Sequence, residues 1–463
     1  MAYSINKLLR TEMNISFSAA NRVWAKIGFT SFGGPAGQIA LMHEELVEKR
    51  RWISEERFLN ALNFCMLLPG PEAQQLSVYL GWLMHKTKGG LVAGLLFILP
   101  GFLCILSLSI AYVLWGDSFL VSAIFFGLKA AVLAIVIQAI VRIAKRTLKN
   151  ALMIWIAGLS FFALYFLHIA FPLIILIAAI VGVLAQRLFP HYFYGTLKAS
   201  HPESNPQPLD YLIDHQNLEH THASAARSIR VLLVWLLIWA TPVIAVFLAF
   251  GADSVLGKQA VFFSNTAVFS FGGAYAVLTY VAQRVVDDYH WITPREMMDG
   301  LALAETTPGP LIMVLQFVAF IAAYRYQTNL SPLAAGILAS FLTVWVTFAP
   351  CFLWIFLGAP YIEKLRSNIR LQAALKTITA AIVGVIINLS LWFAVHALFG
   401  KTVAVQWAFL EFEIPQWASI QWPMLGMAMA ALIAVVKFNV SSYKTMLFCA
   451  LVGVLIYHVA YSA

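Results

Sequence analysis

The sequence predicts an all-α polytopic membrane protein with about 13 transmembrane or re-entrant helices in two inverted-topology repeats. Apolar residues make up 61% of the 463-residue chain and charged residues only 11%, whereas soluble proteins have roughly 25% charged residues. Many apolar segments approach the ~20 residues that a bilayer-spanning helix needs. The first half of the chain also recurs in the second. A soluble enzyme and a nucleic-acid-binding protein are therefore excluded, despite the net charge of +9.

The predicted spans form two groups on either side of a polar segment. This segment, residues 187–228, contains several prolines, carboxylates and histidines and is interpreted as a cytoplasmic linker. The short segment 403–413 is predicted to lie in the membrane interface. The spans before the linker lie near 18–41, 58–84, 90–115, 118–141, 151–167 and 169–186. Those after it lie near 229–250, 259–283, 297–323, 332–357, 373–398, 420–436 and 445–461.

An internal repeat defines the domain organisation. Residues 29–71 align without a gap with 268–310, so that SFGG and Pro-Gly-Pro each occur once in either half. Further along, an insertion of 11 residues increases the offset from 239 to 250. The sequence thus predicts four parts, which are a first repeat (1–186), the linker (187–228), a connecting transmembrane helix (229–250) and a second, inverted repeat (251–463).

The inversion follows from the number of crossings, because the first spans of the two repeats are an odd number of spans apart. Basic residues beside the spans favour a cytoplasmic N-terminus. Full crossing of the first two spans would place the basic loop Lys49–Arg57 outside, against this rule. If both spans are instead re-entrant hairpins, broken at their Gly and Pro residues, the loop returns to the cytoplasm. Both topologies remain open at this stage.

Interrupted helices at matching places in inverted repeats indicate a transport site near the middle of the membrane. Irregular backbone is tolerated there only beside a cavity or within protein. Pro-Gly-Pro ends one helix and favours the start of another, whose free N–H groups attract anions. The alternative is that these residues merely kink helices. The candidate substrate-binding residues at the breaks are Ser31, Gly33, Gly34, Gly70, Pro71, Gln75, Ser270, Gly272, Gly273, Thr307, Gly309 and Pro310.

Three ionisable residues at membrane depth are further candidates, because such residues are costly there and usually functional. Lys129 lies at the middle of its span and is expected to contact either a carboxylate partner or a passing anionic substrate. Glu72 and Glu305 flank the two Pro-Gly-Pro motifs and are candidates for proton coupling. For Glu72 the alternative is a cap on the N-terminus of its helix. Thr379 occupies the position equivalent to Lys129, so the repeat is not symmetric at that point.

No pattern indicates catalysis, a cofactor or a metal site. Nucleophile elbows, phosphate loops and dinucleotide-binding motifs are missing from the sequence. The linker histidines, His201, His215, His220 and His222, are interpreted as part of a solvated segment rather than as metal ligands. We therefore expect neither catalytic residues nor a cofactor.

Several long motifs closely resemble the chromate ion transporter family. In the first repeat they are FGGPAGQIALMHEELVEKRRWISEERF (Phe32–Phe58), MLLPGPEAQQL (Met66–Leu76) and LVAGLLFILPGF (Leu91–Phe102). In the second they are FGGAYAVLTYVAQ (Phe271–Gln283) and LALAETTPGPLIMVLQF (Leu301–Phe317). Because both halves match, the chain resembles the long-chain, two-repeat form.

The resemblance implies a protein of the bacterial cytoplasmic (inner) membrane that exports chromate and confers resistance to it. It also implies sulfate as a similar, competing anion, so a sulfate or general oxyanion transporter is the alternative. Ala274 replaces Pro35 in the second repeat, which argues against strict functional symmetry of the two SFGG elements. The expected partners are chromate, sulfate and the lipid bilayer, with no nucleic acid. The oligomeric state is left open, a homodimer included.

Overall fold

A computed structural model describes residues 15–116, 118–190, 224–271, 273–327, 329–362, 368–407 and 410–461. The described chain is helical apart from one β-hairpin, which confirms the predicted all-α polytopic class. Seven of its helices are long and apolar enough to cross a bilayer, and shorter apolar helices accompany them. Most of the predicted linker, with its five histidines, lies outside the described residues.

The helices of the first half show a break in each of the first two predicted spans. A short π-helix, Glu44–Lys49, follows α2. Helix α4 folds back on itself at His85 and Lys86, whose backbone is not helical, so that Gly81 lies against Ala93. The α-helices are α1 (Phe17–Thr30), α2 (Gly34–His43), α3 (Glu55–Cys65), α4 (Glu72–Trp115), α5 (Phe119–Thr147), α6 (Ala151–Tyr165) and α7 (Phe171–Leu188).

The second half repeats this pattern after the connecting helix α8 (Ala225–Phe250), with a π-helix at Arg284–Asp288 and single 3₁₀ turns at Leu311–Met313, Ala359–Tyr361 and Trp417–Ser419. The predicted interfacial segment forms an antiparallel hairpin of strands β1 (Thr402–Trp407) and β2 (Leu410–Pro415). The remaining α-helices are α9 (Val255–Phe269), α10 (Ala274–Gln283), α11 (Pro294–Thr306), α12 (Val314–Tyr326), α13 (Pro332–Gly358), α14 (Ile369–Leu398), α15 (Trp422–Val436) and α16 (Ser442–Tyr461).

Both interrupted spans of the first repeat fold back on themselves. In a continuous helix Lys26 and Glu45 would be about 28 Å apart at 1.5 Å per residue, yet Lys26 Nζ lies 2.9 Å from Glu45 Oε1. Likewise the rings of Phe64 and Tyr79 are 5.7 Å apart. The pairs α1–α2 and α3–α4 are therefore hairpins, and the re-entrant topology is the one adopted.

The second repeat contains the same two hairpins. Phe262 on α9 packs against Tyr280 on α10 with ring centroids 5.6 Å apart. Arg325 on α12 donates a 2.9 Å hydrogen bond to Glu296 near the start of α11. Each of these pairs is separated along the chain by a break, so contact between its members requires a reversal of direction.

The hairpins of the two repeats open towards opposite ends of α4. At the kinked end, the His85 ring lies 2.8 Å from the carbonyl oxygen of Ile15, which precedes α1. From this kink α4 runs to Trp115, about 43 Å away. Beyond that far end, Ser122 accepts a hydrogen bond from Arg295 of the second repeat at 3.5 Å. This arrangement supports the inverted relation between the repeats.

The repeat extends to backbone details that sequence identity does not require. Arg51 and His290, 239 positions apart, both adopt φ of 52° although neither is glycine. In each repeat the next residue is a tryptophan whose backbone N–H donates a 2.8 Å hydrogen bond to a carbonyl oxygen of the π-helix. Trp52 donates to Leu46 and Trp291 to Val285. Such shared unusual geometry indicates that the two halves have one architecture.

The long helices of one repeat pack against the last helices of the other. Helix α5 lies against α15 and α16, and α14 lies against α6 and α7. Small residues permit these close crossings, since a methyl group on Gly127 would lie 1.9 Å from the Cys449 carbonyl oxygen and one on Gly384 2.1 Å from that of Ala157. Helices of both repeats are thus packed together at each of these crossings.

Candidate functional site

The four helix breaks meet in the protein interior in crossed pairs. The N–H of Gly70, in the first Pro-Gly-Pro, donates a 2.9 Å hydrogen bond to the carbonyl oxygen of Ser270 in the second SFGG. Reciprocally, the N–H of Gly309 donates to the carbonyl oxygen of Ser31 at 3.1 Å and to its hydroxyl at 3.0 Å. All four residues are buried. The predicted breaks therefore meet in two crossed pairs, although the members of each pair are 200 or more positions apart in the sequence.

Glycine is required where each Pro-Gly-Pro crosses a long helix of the other repeat. Gly70 and Gly309 have φ of 126° and 95°, a region in which only glycine is unstrained. A methyl group on Gly70 would also lie 2.8 Å from Cys351 Sγ on α13. One on Gly309 would lie 3.1 Å from the Cα of Gly101 on α4. Because Gly101 and Cys351 are equivalent at the offset of 250, both crossings are built in the same way.

The two SFGG breaks differ in what surrounds them. The amides of Gly70 and Gly309 are already hydrogen-bonded, so in this conformation neither is free to donate to an anion. Gly33 and Gly34 have φ of 86° and 68°, and a methyl group on either would meet no atom within 4 Å. Helix α2 begins at Gly34, and no side chain caps its N-terminus. The first SFGG is thus the break that a ligand can approach closely; Gly272 of the second lies outside the described residues.

Acidic side chains occupy the surroundings of the second SFGG. Glu72 Oε1 lies 3.6 Å from the position that a Cβ on Gly273 would take. Nearby, the Tyr275 hydroxyl donates a 2.6 Å hydrogen bond to Glu305 Oε1. Both carboxyl groups that the sequence suggested for proton coupling are therefore close to helix α10, which begins after Gly273. Helix α4 has no side-chain cap, and Glu72 approaches the other repeat instead.

The first SFGG has no acidic equivalents. At the offset of 239, Glu72 corresponds to Leu311, Glu305 to Met66 and Tyr275 to Ala36. The backbone is thus nearly symmetric, whereas the ionisable chemistry belongs to one break alone.

Lys129 forms an ion pair with a residue that the sequence analysis did not select. Its Nζ lies 3.1 Å from Asp299 Oδ1 on α11, and the Asp299 side chain is 1% exposed. The Tyr112 hydroxyl donates to Asp299 Oδ2 at 2.9 Å, and Arg295 Nε approaches the same oxygen at 4.0 Å. Of the two roles expected for Lys129, the geometry favours the carboxylate partner.

Polar side chains brace the two Pro-Gly-Pro segments. Gln75 Nε2 donates to the Pro69 carbonyl oxygen at 2.6 Å, and Gln38 Nε2 donates to that of Gly309 at 2.6 Å. Thr307 Oγ1 donates to its own helix at Ala304 (3.4 Å). Pro71 and Pro310 are both buried at the start of the following helical segments. The neighbouring Gln74 is fully buried, and in the described part of the chain neither of its amide atoms has a hydrogen-bond partner.

Sequence reasoning missed Asp299, Gln38 and Tyr275. Asp299 lay within the predicted span 297–323, so the rule that selected Lys129 would also have found it. No sequence signal identified Gln38, whose partner is 271 positions away. Over the described ranges, no group of three His, Cys, Asp or Glu side chains is placed to hold a metal ion.

An inverted pair of helical repeats, with broken hairpins meeting in the membrane interior, defines a polytopic membrane protein of the transporter type. The family model for chromate transporters matches residues 19–183 and 258–454, most of both repeats. The chain belongs to the chromate transporter family, and this membership supports a role in membrane transport of chromate.

Named relatives agree with the family assignment. The chromate transport protein of Pseudomonas aeruginosa is 31% identical over 372 residues, which cover 78% of this chain and 77% of the relative. That of Cupriavidus metallidurans is 28% identical over 78% of both chains. The probable chromate transport protein of Synechococcus elongatus is 27% identical over 82% of this chain and 85% of its own length. No solved structure matches the chain.

Proposed function

We propose that this protein exports chromate from the cytoplasm across the bacterial inner membrane, through a site between the crossed helix breaks. The observation that supports the proposal most directly is the crossed pairing of the four breaks, in which each Pro-Gly-Pro is hydrogen-bonded to the SFGG of the other repeat. At the first SFGG, Gly33 is exposed and a methyl group on Gly33 or Gly34 would meet no atom within 4 Å, so a ligand can approach the backbone there. A tetrahedral dianion suits the N–H groups of a helix N-terminus such as that of α2.

In this proposal the candidate residues have four different roles. Ser31, Ser270, Gly70 and Gly309 hold the breaks together through the crossed hydrogen bonds. Gly33, Gly34 and the breaks' neighbouring polar groups contact the anion. Lys129 acts through its ion pair with Asp299, which fixes α11 against α5. Glu72 and Glu305 exchange protons at the second break.

The orientation in this proposal has the N-terminus in the cytoplasm. Arg142, Lys145, Arg146 and Lys149 at the end of α5 then also face the cytoplasm, as the positive-inside rule favours. The hairpins of the first repeat open to the cytoplasm, together with the loop Lys49–Arg57, and those of the second repeat open outward. The proposed division of the chain remains 1–186, 187–228, 229–250 and 251–463.

Electrical driving force favours export of a dianion. With a negative interior, each outgoing negative charge gains ~2.3 kcal/mol per 100 mV. Two charges gain ~4.6 kcal/mol, which corresponds to a concentration ratio above a thousand. Export is therefore electrically downhill without a counter-ion, whereas import of sulfate would need several co-transported cations.

Flux in inside-out membrane vesicles tests the proposal. Vesicles containing the protein should accumulate labelled chromate, and more so when the lumen is made positive. Vesicles containing the ion-pair variant Lys129→Met test the role of that pair in the same assay. Absence of chromate flux at any potential would refute the proposed function. Faster saturable flux of sulfate than of chromate would instead favour the general oxyanion transporter.

Sidedness is tested with two cysteine variants at equivalent positions of the repeats. Glu56→Cys and Arg295→Cys should react with a membrane-impermeant thiol reagent from opposite faces, Glu56→Cys from the cytoplasmic one. The native cysteines are buried or partly buried, which keeps the background low. Labelling of both from the same face would contradict the inverted arrangement.

A further inference from the structure

Two arginines near the cytoplasmic end of α5 have no role in the site described so far. Arg142 and Arg146 are one helical turn apart, on the same face of α5, and both side chains are exposed. Among the described residues neither has a carboxylate within ion-pairing distance, unlike Lys129 on the same helix. Arg146 Nη2 instead lies 3.8 Å from the sulfur of Met66, which leads into the first Pro-Gly-Pro.

The same two arginines lie beside the acidic break. The charge of Arg146 acts on the carboxyl group of Glu72, and that of Arg142 acts on Tyr275, the donor to Glu305. Arg146, which contacts Met66, therefore lies near Glu72, and Arg142 lies near the tyrosine that donates to Glu305; neither arginine forms an ion pair with these carboxyl groups. Their separation leaves the guanidinium donors available to a ligand that enters between them.

This cationic pair belongs to one repeat alone. At the offset of 250, Arg142 corresponds to Trp392 and Arg146 to His396. The arginines thus accompany the carboxyl groups of the second SFGG and are missing, as those groups are, from the equivalent place. The positive-inside rule accounts for basic residues at this end of α5, but it does not require that two arginines lie on one face of the helix.

We propose that Arg142 and Arg146 are contact residues for the transported oxyanion, which they bind at the cytoplasmic side of the second break. This inference rests on the proposed function and adds to it a second binding position, on the way to the crossed breaks. Guanidinium groups fit the chemistry, because their paired donors match two oxygens of a tetrahedral dianion. Glu72 is the competing internal anion at this position.

The test compares Arg142→Gln and Arg146→Gln with Lys145→Gln, an exposed charge at the same helix end. In inside-out vesicles the arginine variants should raise the KM for chromate at least ten-fold, whereas Lys145→Gln should stay within two-fold of the unmodified protein. Arg146→Lys, which keeps the charge but loses the paired donors, should fall between them. Glu72→Gln, which removes the competing anion, should lower the KM.

A second measurement needs no variant. Chromate should slow the reaction of phenylglyoxal with Arg142 and Arg146 in the purified protein, but not with the exposed Arg187 of α7. Mass spectrometry of peptides gives the extent of modification at each residue. If chromate does not slow the modification of Arg142 and Arg146 and their variants have unchanged KM values, the inference is overturned. Chromate flux by the unmodified protein would still leave the proposed function standing. Loss of that flux would instead refute the proposed function.

Discussion

Separating Lys129 from Asp299 should destabilise the protein more than any exposed charge change on α5. The pair is 3.1 Å apart, with side chains 10% and 1% exposed. At an effective dielectric constant of about 20, two unit charges at that distance attract by about 5 kcal/mol. Removing one partner strands a buried charge, a change that costs about 3–5 kcal/mol. We expect Asp299→Leu to lie at the upper end, since Lys129 then has no described partner.

Lys129→Met should cost less, because Asp299 keeps the Tyr112 hydroxyl at 2.9 Å. The double variant, Lys129→Met with Asp299→Leu, should recover most of the lost stability, since an apolar pair of similar volume replaces the ions. The two single changes are therefore expected to be strongly non-additive.

Thermal unfolding followed by tryptophan fluorescence, in one detergent and at one heating rate, measures this cycle. Single variants should unfold on the order of 5 °C lower, and Lys145→Met, an exposed charge on the same helix, should unfold with the unmodified protein. Additive losses in the double variant would refute the ion pair. A Lys129→Met protein of normal stability without chromate flux would show that the ammonium group contacts substrate instead.

Three further changes test other parts of the structure. Burial opposes ionisation of Glu45, but hydrogen bonds from three basic side chains hold its pKa at about 2. The stabilisation by ionised Glu45 should be present above pH ~4.5 and be lost as the pH falls through ~2. Glu45→Gln should therefore lower the melting temperature equally at pH 6 and pH 8, and by less below pH 4. A difference in melting temperature that grows in acid would contradict this. Gly101→Val should reduce flux at least ten-fold, because its first side-chain atom would lie 2.6 Å from the Pro308 carbonyl oxygen; normal flux would contradict the tight crossing. Tyr275→Phe should alter the pH profile of flux, because the Glu305 carboxyl group loses its hydrogen bond from the Tyr275 hydroxyl. An unchanged pH profile would contradict proton exchange at this residue.

The sequence was sufficient to locate the helix breaks but not to establish their direction. Gly and Pro act locally, so matching motifs at a constant offset predict where a helix ends. Whether the next helix continues or reverses depends on contacts such as Lys26 with Glu45, which no local pattern reports. The β-hairpin is a different case, because the segment 410–414 alternates apolar and polar residues with the period of a strand and Thr402–Trp407 contains three β-branched residues. The search for membrane spans passed over both signals.

The candidate site was partly predictable for a related reason. Ionisable residues at membrane depth can be recognised one by one in the sequence because they are energetically costly there, as were Lys129, Glu72 and Glu305. Their partners cannot be recognised in this way, because the packing of α5 against α11 determines which residue pairs with Lys129. The crossed hydrogen bonds of Gly70 and Gly309 depend likewise on the relative placement of two whole repeats.

The crossed pairing also constrains how the protein can move. Each Pro-Gly-Pro is hydrogen-bonded to the SFGG of the opposite repeat, so a hairpin cannot shift without changing a break that belongs to the other half. Because the hairpins of the two repeats open at opposite ends of α4, such a shift alters access from both sides at once. Among the described residues, Glu72 and Glu305 both lie near the second break, so the proposed proton binding there would act on a contact that involves both repeats. A symmetric backbone with one ionisable break therefore provides a physical route by which a change in protonation on one side alters the exposure of an anion on the other.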